Sequence, residues 1–187
     1  MLSVIASPMS TPAEKFEILR VDYALPHSPE VVAAFKKGLA GGAEDLKEKL
    51  QGELIRFGDL SELSPVVNLL LTAGAAESER VWLLYVIGNR ITDHRAIPAL
   101  RPLLRADDSA VRAAAAQALW HIADRTAVSD LSNALRDPDA QVRFYAVRAC
   151  ADIAAEPGWG GPGEAEFQQH QQKYLAHWQE WAKAQSQ

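Results

Sequence analysis

The feature of this chain that most constrains its fold is an internal near-repeat. Residues 96–112 read AIPALRPLLRADDSAVR, and residues 127–143, which begin 31 positions later, read AVSDLSNALRDPDAQVR. A period of this length is typical of a unit made of two antiparallel helices. Because one such pair cannot bury its apolar face alone, the units must stack into a solenoid with an extended surface.

Capping residues predict where the helices begin. Ser28 followed by a proline starts a helix, since the serine hydroxyl accepts a backbone N–H and proline suits the first helical position. Thr11 starts an earlier, short helix in the same way, and Ser64 and Ser78 are the expected starts of two later ones. Together with apolar spacing, these signals predict helices over residues 43–57, 66–71, 97–104, 109–123, 127–135, 140–155 and 164–185.

Apolar spacing also predicts the buried side of each helix. The helix over residues 43–57 is charged on one side and carries an apolar stripe on the other. Apolar side chains recur at i, i+3 and i+7 of the second helix in each repeat unit, so they face the core. Pro102 lies inside one of these helices and predicts a kink or an opened turn. The predicted core positions are Leu46, Leu50, Leu54, Phe57, Ile97, Leu100, Leu104, Val128, Leu131 and Leu135.

The opposite side of the second helices carries polar residues that are candidates for binding. Arg101 and Arg105 lie there in the first unit, and Ser132, Asn133 and Arg136 lie there in the second. Second helices usually line the concave side of a solenoid. We therefore expect these residues to form one groove, in which guanidinium groups can grip carboxylates or phosphates. The alternative is that the arginines only keep the groove solvated.

The chain is long enough for one ordinary domain with a sizeable core. Tyr174, Trp178 and Trp181 form an aromatic stripe near its end. Because a solenoid needs a cap over its last unit, we interpret this stripe as the buried side of a capping helix, with an aromatic partner-binding ridge as the alternative. We expect a single domain over residues 1–187, with degenerate helices over 1–58, regular repeats over 59–155, and a loop and capping helix over 156–187.

Composition narrows the class of partner and the compartment. The formal net charge of −5 argues against a surface devoted to nucleic-acid backbone, and a local basic stripe stays open. The first residues lack the features of a signal peptide, and no run reaches the roughly 20 apolar residues of a membrane span. A cytoplasmic protein is expected. Cys150 lies in an apolar run and is expected in the core.

No pattern of catalytic residues stands out. The five histidines form no HExxH pair, and neither a nucleophile elbow nor a phosphate loop is present. Glu166, His170 and His177 fall close to one face of the last helix, but such groupings on a polar helix often arise by chance. We therefore expect no catalytic residues, no metal and no cofactor, and we interpret the protein as non-enzymatic.

Two segments resemble a known family. The runs Asp137-Pro-Asp-Ala-Gln-Val-Arg143 and Asp93-His-Arg-Ala-Ile-Pro-Ala-Leu100 are similar to HEAT repeats, specifically the bacterial HEAT-like class that also occurs in phycobilisome lyases. The resemblance is strong over residues 60–155. It implies an all-α, right-handed α-α superhelix in which a turn aspartate and an arginine six residues later bond across neighbouring units as a ladder.

By this resemblance, Asp137, Arg143 and Arg112 belong to a structural ladder. In the earlier unit Ala106 takes the place of the aspartate, which leaves Asp107 or Asp108 as a substitute, and Trp82 stands where the preceding unit would have its arginine. The resemblance therefore implies a ladder confined to the later units. For both ladder arginines we expect buried hydrogen bonds rather than a role in binding a ligand.

We interpret the chain as a protein–protein interaction module, favoured as a monomer, that binds an acidic or extended partner in its concave groove. The resemblance also leaves open a bilin-lyase-like or chaperone-like role. A nucleic-acid-binding HEAT-like protein is the third alternative, and it would need several phosphate contacts.

Overall fold

A computed structural model describes residues 27–41, 46–72 and 74–185 of the chain. All regular elements in these residues are α-helices or short 3₁₀ turns, and no strand occurs among them. The all-α prediction is confirmed, whereas the helix predicted at Thr11 lies outside the described residues. None of the described helices is long and apolar enough to span a membrane.

The helix boundaries follow the predicted ones closely within the repeat. In chain order the described α-helices are α1 (Pro29–Ala40), α2 (Lys47–Arg56), α3 (Leu63–Leu71), α4 (Glu77–Arg90), α5 (Ile97–Leu100), α6 (Ser109–Ile122), α7 (Val128–Ala134), α8 (Ala140–Ala154) and α9 (Glu164–Ala184). The 3₁₀ segments are Leu60–Glu62, His94–Ala96, Arg101–Arg105 and Arg125–Ala127.

The helices form two packed layers. Helices α2, α4, α6 and α8 stack directly on one another as the first layer. Helices α3, α5, α7 and α9 form the second layer together with the 3₁₀ segments, and α1 packs against α2. This is the repeat solenoid that the near-repeat predicts, with one helix of each pair in each layer. The right-handed sense of the superhelix stays a prediction.

One continuous apolar core joins the two layers from α2 to α9. A smaller cluster lies between α1 and α2, where Phe35 is fully buried. The predicted core positions are buried, except that Phe57 and Leu104 are partly exposed. The apolar spacing therefore identifies the inner side of the helices correctly in both layers.

Pro102 shortens α5 to about one turn, as expected. The helix ends at Leu100, and the chain continues as the 3₁₀ segment Arg101–Arg105, because proline has no N–H to bond the preceding turn. The tighter turn buries Leu103 completely in the core and leaves Leu104 only partly buried.

Helix α2 departs from the prediction of one charged side. Every residue from Leu50 to Ile55 is buried, because α1, α3 and α4 pack around this helix. Glu53 is fully buried, with Lys49 Nζ at 3.2 Å and Arg56 Nε at 2.7 Å from its carboxylate oxygens. The two cations offset the cost of burying the carboxylate. Residues that the sequence pattern placed on a charged, solvated side of the helix therefore form an ion cluster in the protein interior.

Aspartates start the second helix of successive units. Asp59, Asp93 and Asp124 each accept the backbone N–H two residues later, and each begins a 3₁₀ turn. That turn runs directly into the α-helix of the second layer. The same local chemistry therefore sets the entry of three second helices, at intervals close to the repeat period.

The predicted serine caps are only partly confirmed. Ser28 is the N-cap of α1 and accepts a backbone N–H in its first turn. The helix assigned to Ser64 begins one residue earlier, at Leu63, because the preceding 3₁₀ turn continues into it. Helix α4 begins at Glu77, so Ser78 lies inside its first turn.

Helix α9 covers the end of the stack. It packs on α7 and α8, with Phe167, Tyr174 and Trp178 buried and Trp181 partly exposed. The helix bends at His170, whose φ of −124° and ψ of 26° are not helical. The interpretation as a capping helix is confirmed, because the aromatic stripe points into the core and is not left as an exposed ridge.

Two glycines allow close packing in the first layer. A Cβ at Gly52 of α2 would lie 2.5 Å from Nε1 of Trp82 on α4, and a Cβ at Gly88 of α4 would lie 2.5 Å from Oε1 of Gln117 on α6. The indole is rigid and is held by Lys49, whose Nζ lies 3.4 Å from the ring centre. The amide of Gln117, by contrast, is the far end of a flexible side chain.

We predict that Gly52→Ala lowers the free energy of unfolding by about 1 kcal/mol, although alanine favours an isolated helix over glycine by about the same amount. The cost arises because the Trp82 indole must move as a whole. Gly88→Ala is the matched control and should be close to neutral, since Gln117 can rotate away. Urea unfolding followed by circular dichroism measures both, and a Gly52→Ala protein as stable as the parent would contradict the close approach.

Candidate functional site

The arginines of the predicted groove lie on two second helices that Asp-capped turns hold in place. Asp93 starts the turn before α5, and Asp124 starts the turn before α7. We call the exposed side of α5, its 3₁₀ extension and α7 the second-helix face. The five predicted groove residues, Arg101, Arg105, Ser132, Asn133 and Arg136, belong to these elements or directly follow them.

Arg101 bridges two repeat units. Its Nε donates to Asp130 Oδ2 at 2.8 Å, and its Nη2 donates to the Thr126 carbonyl at 3.3 Å. The Arg101 side chain is 47% exposed, so the ion pair adds little to stability. The effect of the pair is positional, because it holds the guanidinium across the boundary between the units.

Arg101, Arg105 and Asn133 come together around a small cavity of about 70 Å³. Asp130 and Asp137 form other parts of its wall. Arg105 is exposed and forms no hydrogen bond or ion pair with the rest of the chain that the structure describes. The cavity therefore combines one positioned guanidinium, one available guanidinium and an amide with the carboxylates of Asp130 and Asp137.

Ser132 and Arg136 do not line this cavity. Nη1 of Arg136 donates to the Ser132 carbonyl at 2.7 Å and to its hydroxyl at 3.3 Å. The Arg136 side chain thus bends back along its own helix. Three of the five predicted residues meet, and the other two pair with each other.

The predicted ladder is present and connects consecutive units. Arg112 donates from Nε and Nη2 to the two carboxylate oxygens of Asp137, at 2.8 and 3.0 Å. Its Nη1 donates to the carbonyls of Ala106 and Asp107, both at 2.8 Å. The pair is largely buried, with exposed fractions of 13% for Arg112 and 9% for Asp137. One guanidinium therefore fixes the turn of its own unit and the turn of the next.

Arg143 repeats this arrangement where the stack meets its cap. Its Nη1 donates to the carbonyls of Asp137 and Pro138 at 2.6 and 2.7 Å, and its Nη2 donates to Gln171 Oε1 at 3.3 Å. The contact between Arg143 and Asp137 is thus made through the main chain, because the carboxylate is taken by Arg112. An amide of α9 replaces the aspartate that a further unit would supply.

The prediction that the ladder is confined to the later units is wrong. Arg80 of α4 forms an ion pair with Asp108, the N-cap residue of α6. Arg80, Arg112 and Arg143 each occupy the fourth position of their helix, so Arg80 and not Trp82 is the equivalent residue. Arg80 lies 32 positions before Arg112 and Trp82 lies 30 positions before it, whereas the interval between Arg112 and Arg143 is 31, so a constant period does not reach Arg80.

A comparison with protein families finds a match to part of the stack. The family model for HEAT repeats matches residues 97–163, which contain α5 to α8 and the Arg112–Asp137 pair. Over these residues the chain is similar to HEAT repeats. HEAT repeats are generally non-catalytic and commonly mediate protein–protein interaction. The comparison with curated proteins finds no match, and the phycobilisome-lyase-type subclass stays a prediction.

The stack also carries a groove that the sequence analysis missed. This first-helix groove has a volume of about 390 Å³ and lies along α6 between α4 and α8. Its floor includes Ala110 and Ala113, and its walls include Tyr85 of α4 and Tyr145 of α8. The groove exists because the small side chains of the central helix reach less far than the tyrosines beside them. The sequence signal for the groove is the run of small side chains in α6, where four alanines occupy residues 113–116.

An aromatic cluster lies beside this groove and ties α6 to α8. The ring of Trp120 is stacked 6.0 Å from that of Tyr145, and the Arg148 guanidinium lies 4.0 Å from the Trp120 ring centre. Trp120 Nε1 also donates to Asp152 at 2.7 Å. These contacts engage Trp120 on several sides, so its role in the first layer is structural.

The residues considered for metal binding are not brought together. Within the described ranges, no group of three or more His, Cys, Asp or Glu side chains is placed to hold a metal ion. His177 stacks on Trp159 with ring centres 3.6 Å apart, and its Nε2 lies 3.0 Å from Glu156. Its ring is therefore engaged by two residues of the loop before α9.

Asp137→Asn is expected to lower the free energy of unfolding by about 2 kcal/mol at neutral pH, because it leaves the Arg112 charge largely buried without a counter-charge. Burial raises the pKa of Asp137, but hydrogen bonds from Arg112 and the Asp139 N–H outweigh it, and the pKa lies below its usual range. The stabilisation is therefore present above the usual Asp pKa and is lost as the pH falls through the lowered pKa.

Chemical denaturation at several pH values measures this effect. The stability difference between the parent and Asp137→Asn should shrink as the pH falls. Asp93→Asn is the control, since the Asp93–Arg95 pair is exposed and asparagine can still cap its turn. Equal losses in the two variants, or a difference that does not change with pH, would count against the ladder as the main joint between units.

Cys150 is predicted to be inert in the folded protein. It is fully buried, as expected from the sequence, and burial raises the pKa of its thiol to about 12. Because the thiolate is the reactive species, a thiol reagent such as 5,5′-dithiobis-(2-nitrobenzoic acid) should modify the thiol only when the chain unfolds. Fast modification of the native protein, at a rate independent of denaturant, would contradict this placement.

Proposed function

We propose that the protein is a non-catalytic binding module that holds an acidic, extended segment of a partner protein on its second-helix face. The observation that carries the proposal is the cavity between two units, where Arg105 lies exposed beside Arg101 and has no partner among the described residues. HEAT repeats commonly mediate protein–protein interaction, which is consistent with this role.

Local charge favours an acidic partner. The chain as a whole carries a net charge of −5, yet residues 93–105 and 124–136 contain five arginines and three aspartates. Two of these aspartates are engaged by Arg95 and Arg101. The second-helix face therefore has an excess of positive charge on an acidic protein, which attracts carboxylates and raises the association rate.

The groups around the cavity suit a peptide in an extended conformation. The Asp130 ion pair holds Arg101 in place before a partner arrives, so less side-chain entropy is lost on binding. Arg105 supplies the planar fork that binds a carboxylate through two hydrogen bonds. The exposed amide of Asn133 can pair with peptide groups, which an extended segment presents unpaired.

Selection of random peptides displayed on phage tests the proposal without a known partner. Selection on the purified protein should enrich sequences rich in Asp and Glu, whose binding weakens as salt is added. Arg105→Glu should weaken the binding of a selected, fluorescently labelled peptide by about tenfold, or about 1.4 kcal/mol.

Lys37→Glu is the matched control, because Lys37 is an exposed cation on α1, outside the second-helix face. It should leave the affinity for the selected peptide unchanged within error. Enrichment of basic or apolar peptides, or equal binding by Arg105→Glu and the parent, would overturn the proposal. A DNA duplex that binds in a gel shift and displaces the peptide would favour the nucleic-acid alternative instead.

A further inference from the structure

The outer side of α4 exposes an apolar stripe flanked by opposite charges. Val81 is 59% exposed and Tyr85 is 39% exposed, and they supply two of the three large apolar side chains that are exposed among the described residues. Glu77 lies one turn before Val81 and is exposed. Arg90 lies at the other end, where its Nη2 donates to the Tyr85 hydroxyl at 3.0 Å. We call these four residues the α4 stripe.

We propose that the α4 stripe is the contact between two copies of this chain, with α4 of one copy antiparallel to α4 of the other. In that arrangement Val81 of each copy lies against Tyr85 of the other, and Glu77 of each copy lies against Arg90 of the other. Every contact occurs twice, as a two-fold interface requires. A parallel arrangement would oppose like charges at both ends of the stripe.

The charges at the two ends of the α4 stripe favour a second copy over an unrelated apolar partner. Glu77 and Arg90 are both exposed. An apolar partner would leave these two charges unpaired across the contact, whereas a second copy turned end to end gives each of them an opposite charge.

The two tyrosines that line the first-helix groove would also lie in this contact. Tyr85 and Tyr145 stand on either side of the alanine floor of α6. Two such grooves facing each other enclose one space, which four tyrosine rings, two from each copy, can fill. Tyrosine is enriched in protein interfaces because it buries a large ring while its hydroxyl keeps a polar partner, and the Tyr85 hydroxyl already has Arg90.

This inference is independent of the proposed function. The α4 stripe lies on the first layer, whereas Arg101 and Arg105 lie on the second. Dimerisation through α4 leaves the second-helix face accessible on both copies. A dimer would thus present two such faces, and a bivalent partner would bind it more tightly than a single chain.

Sedimentation equilibrium of the full chain over a range of protein concentrations tests the inference. The weight-average mass should rise from the monomer value of 20.4 kDa toward twice that value. Arg90→Glu and Glu77→Arg, each alone, should raise the dimer Kd at least tenfold, because each reversal places two like-charged pairs in the symmetric contact. An equimolar mixture of the two variants should recover the dimer. In the mixed dimer the introduced glutamate faces the introduced arginine, and the remaining native Glu77 of one copy faces the remaining native Arg90 of the other.

The recovery in the mixture separates a contact between copies from a loss of folding. Arg105→Glu is the control and should leave the dimer Kd unchanged, so a failure here is distinguishable from a failure of the peptide-binding proposal. A parent chain that stays at the monomer mass at the highest concentration, a dimer that both variants retain, or a mixture that stays monomeric would each overturn the inference.

Discussion

The largely buried pair between Arg112 and Asp137 is the joint on which the stack depends. The second helices are too short to be stable alone, since α5 has four residues and α7 has seven. They are held only by packing, which requires each unit to sit on the next in one register. A guanidinium that bonds the carbonyls of its own turn and the carboxylate of the next turn supplies that register. The same register brings Arg101 of one unit within hydrogen-bond distance of Asp130 of the next.

The same repeat produces two different surfaces because its two layers pack differently. In the first layer, glycine and alanine let long helices approach closely, and the large side chains beside them stand out as the walls of a groove. In the second layer, short 3₁₀ and α-helical pieces leave arginines at the surface between units. One surface is aromatic with opposite charges at its ends, and the other has an excess of arginine, so they suit different partners.

Sequence reasoning was reliable where one local rule decides the outcome. Apolar spacing located the core and Pro102 predicted the opened turn, while the ladder was implied by the resemblance to HEAT repeats. Sequence reasoning failed where contacts with neighbouring helices decide the outcome. Glu53 looks like part of a solvated side, but three helices bury it, and Arg80 was missed because one extra residue breaks the repeat period. The candidate site was half predicted, since a list of exposed arginines does not show which of them bond within the protein.

The sequence by itself determined that the chain is all-α, built from stacked helix pairs of about 31 residues, with an aromatic cap at its end. Periodicity and capping are local properties, and a single sequence contains them in full. Only the tertiary structure decided that Arg101 is bound by Asp130 while Arg105 is available, and that Val81 and Tyr85 face outward. These outcomes depend on contacts between residues in different helices, and such contacts are set by the stacking of whole units.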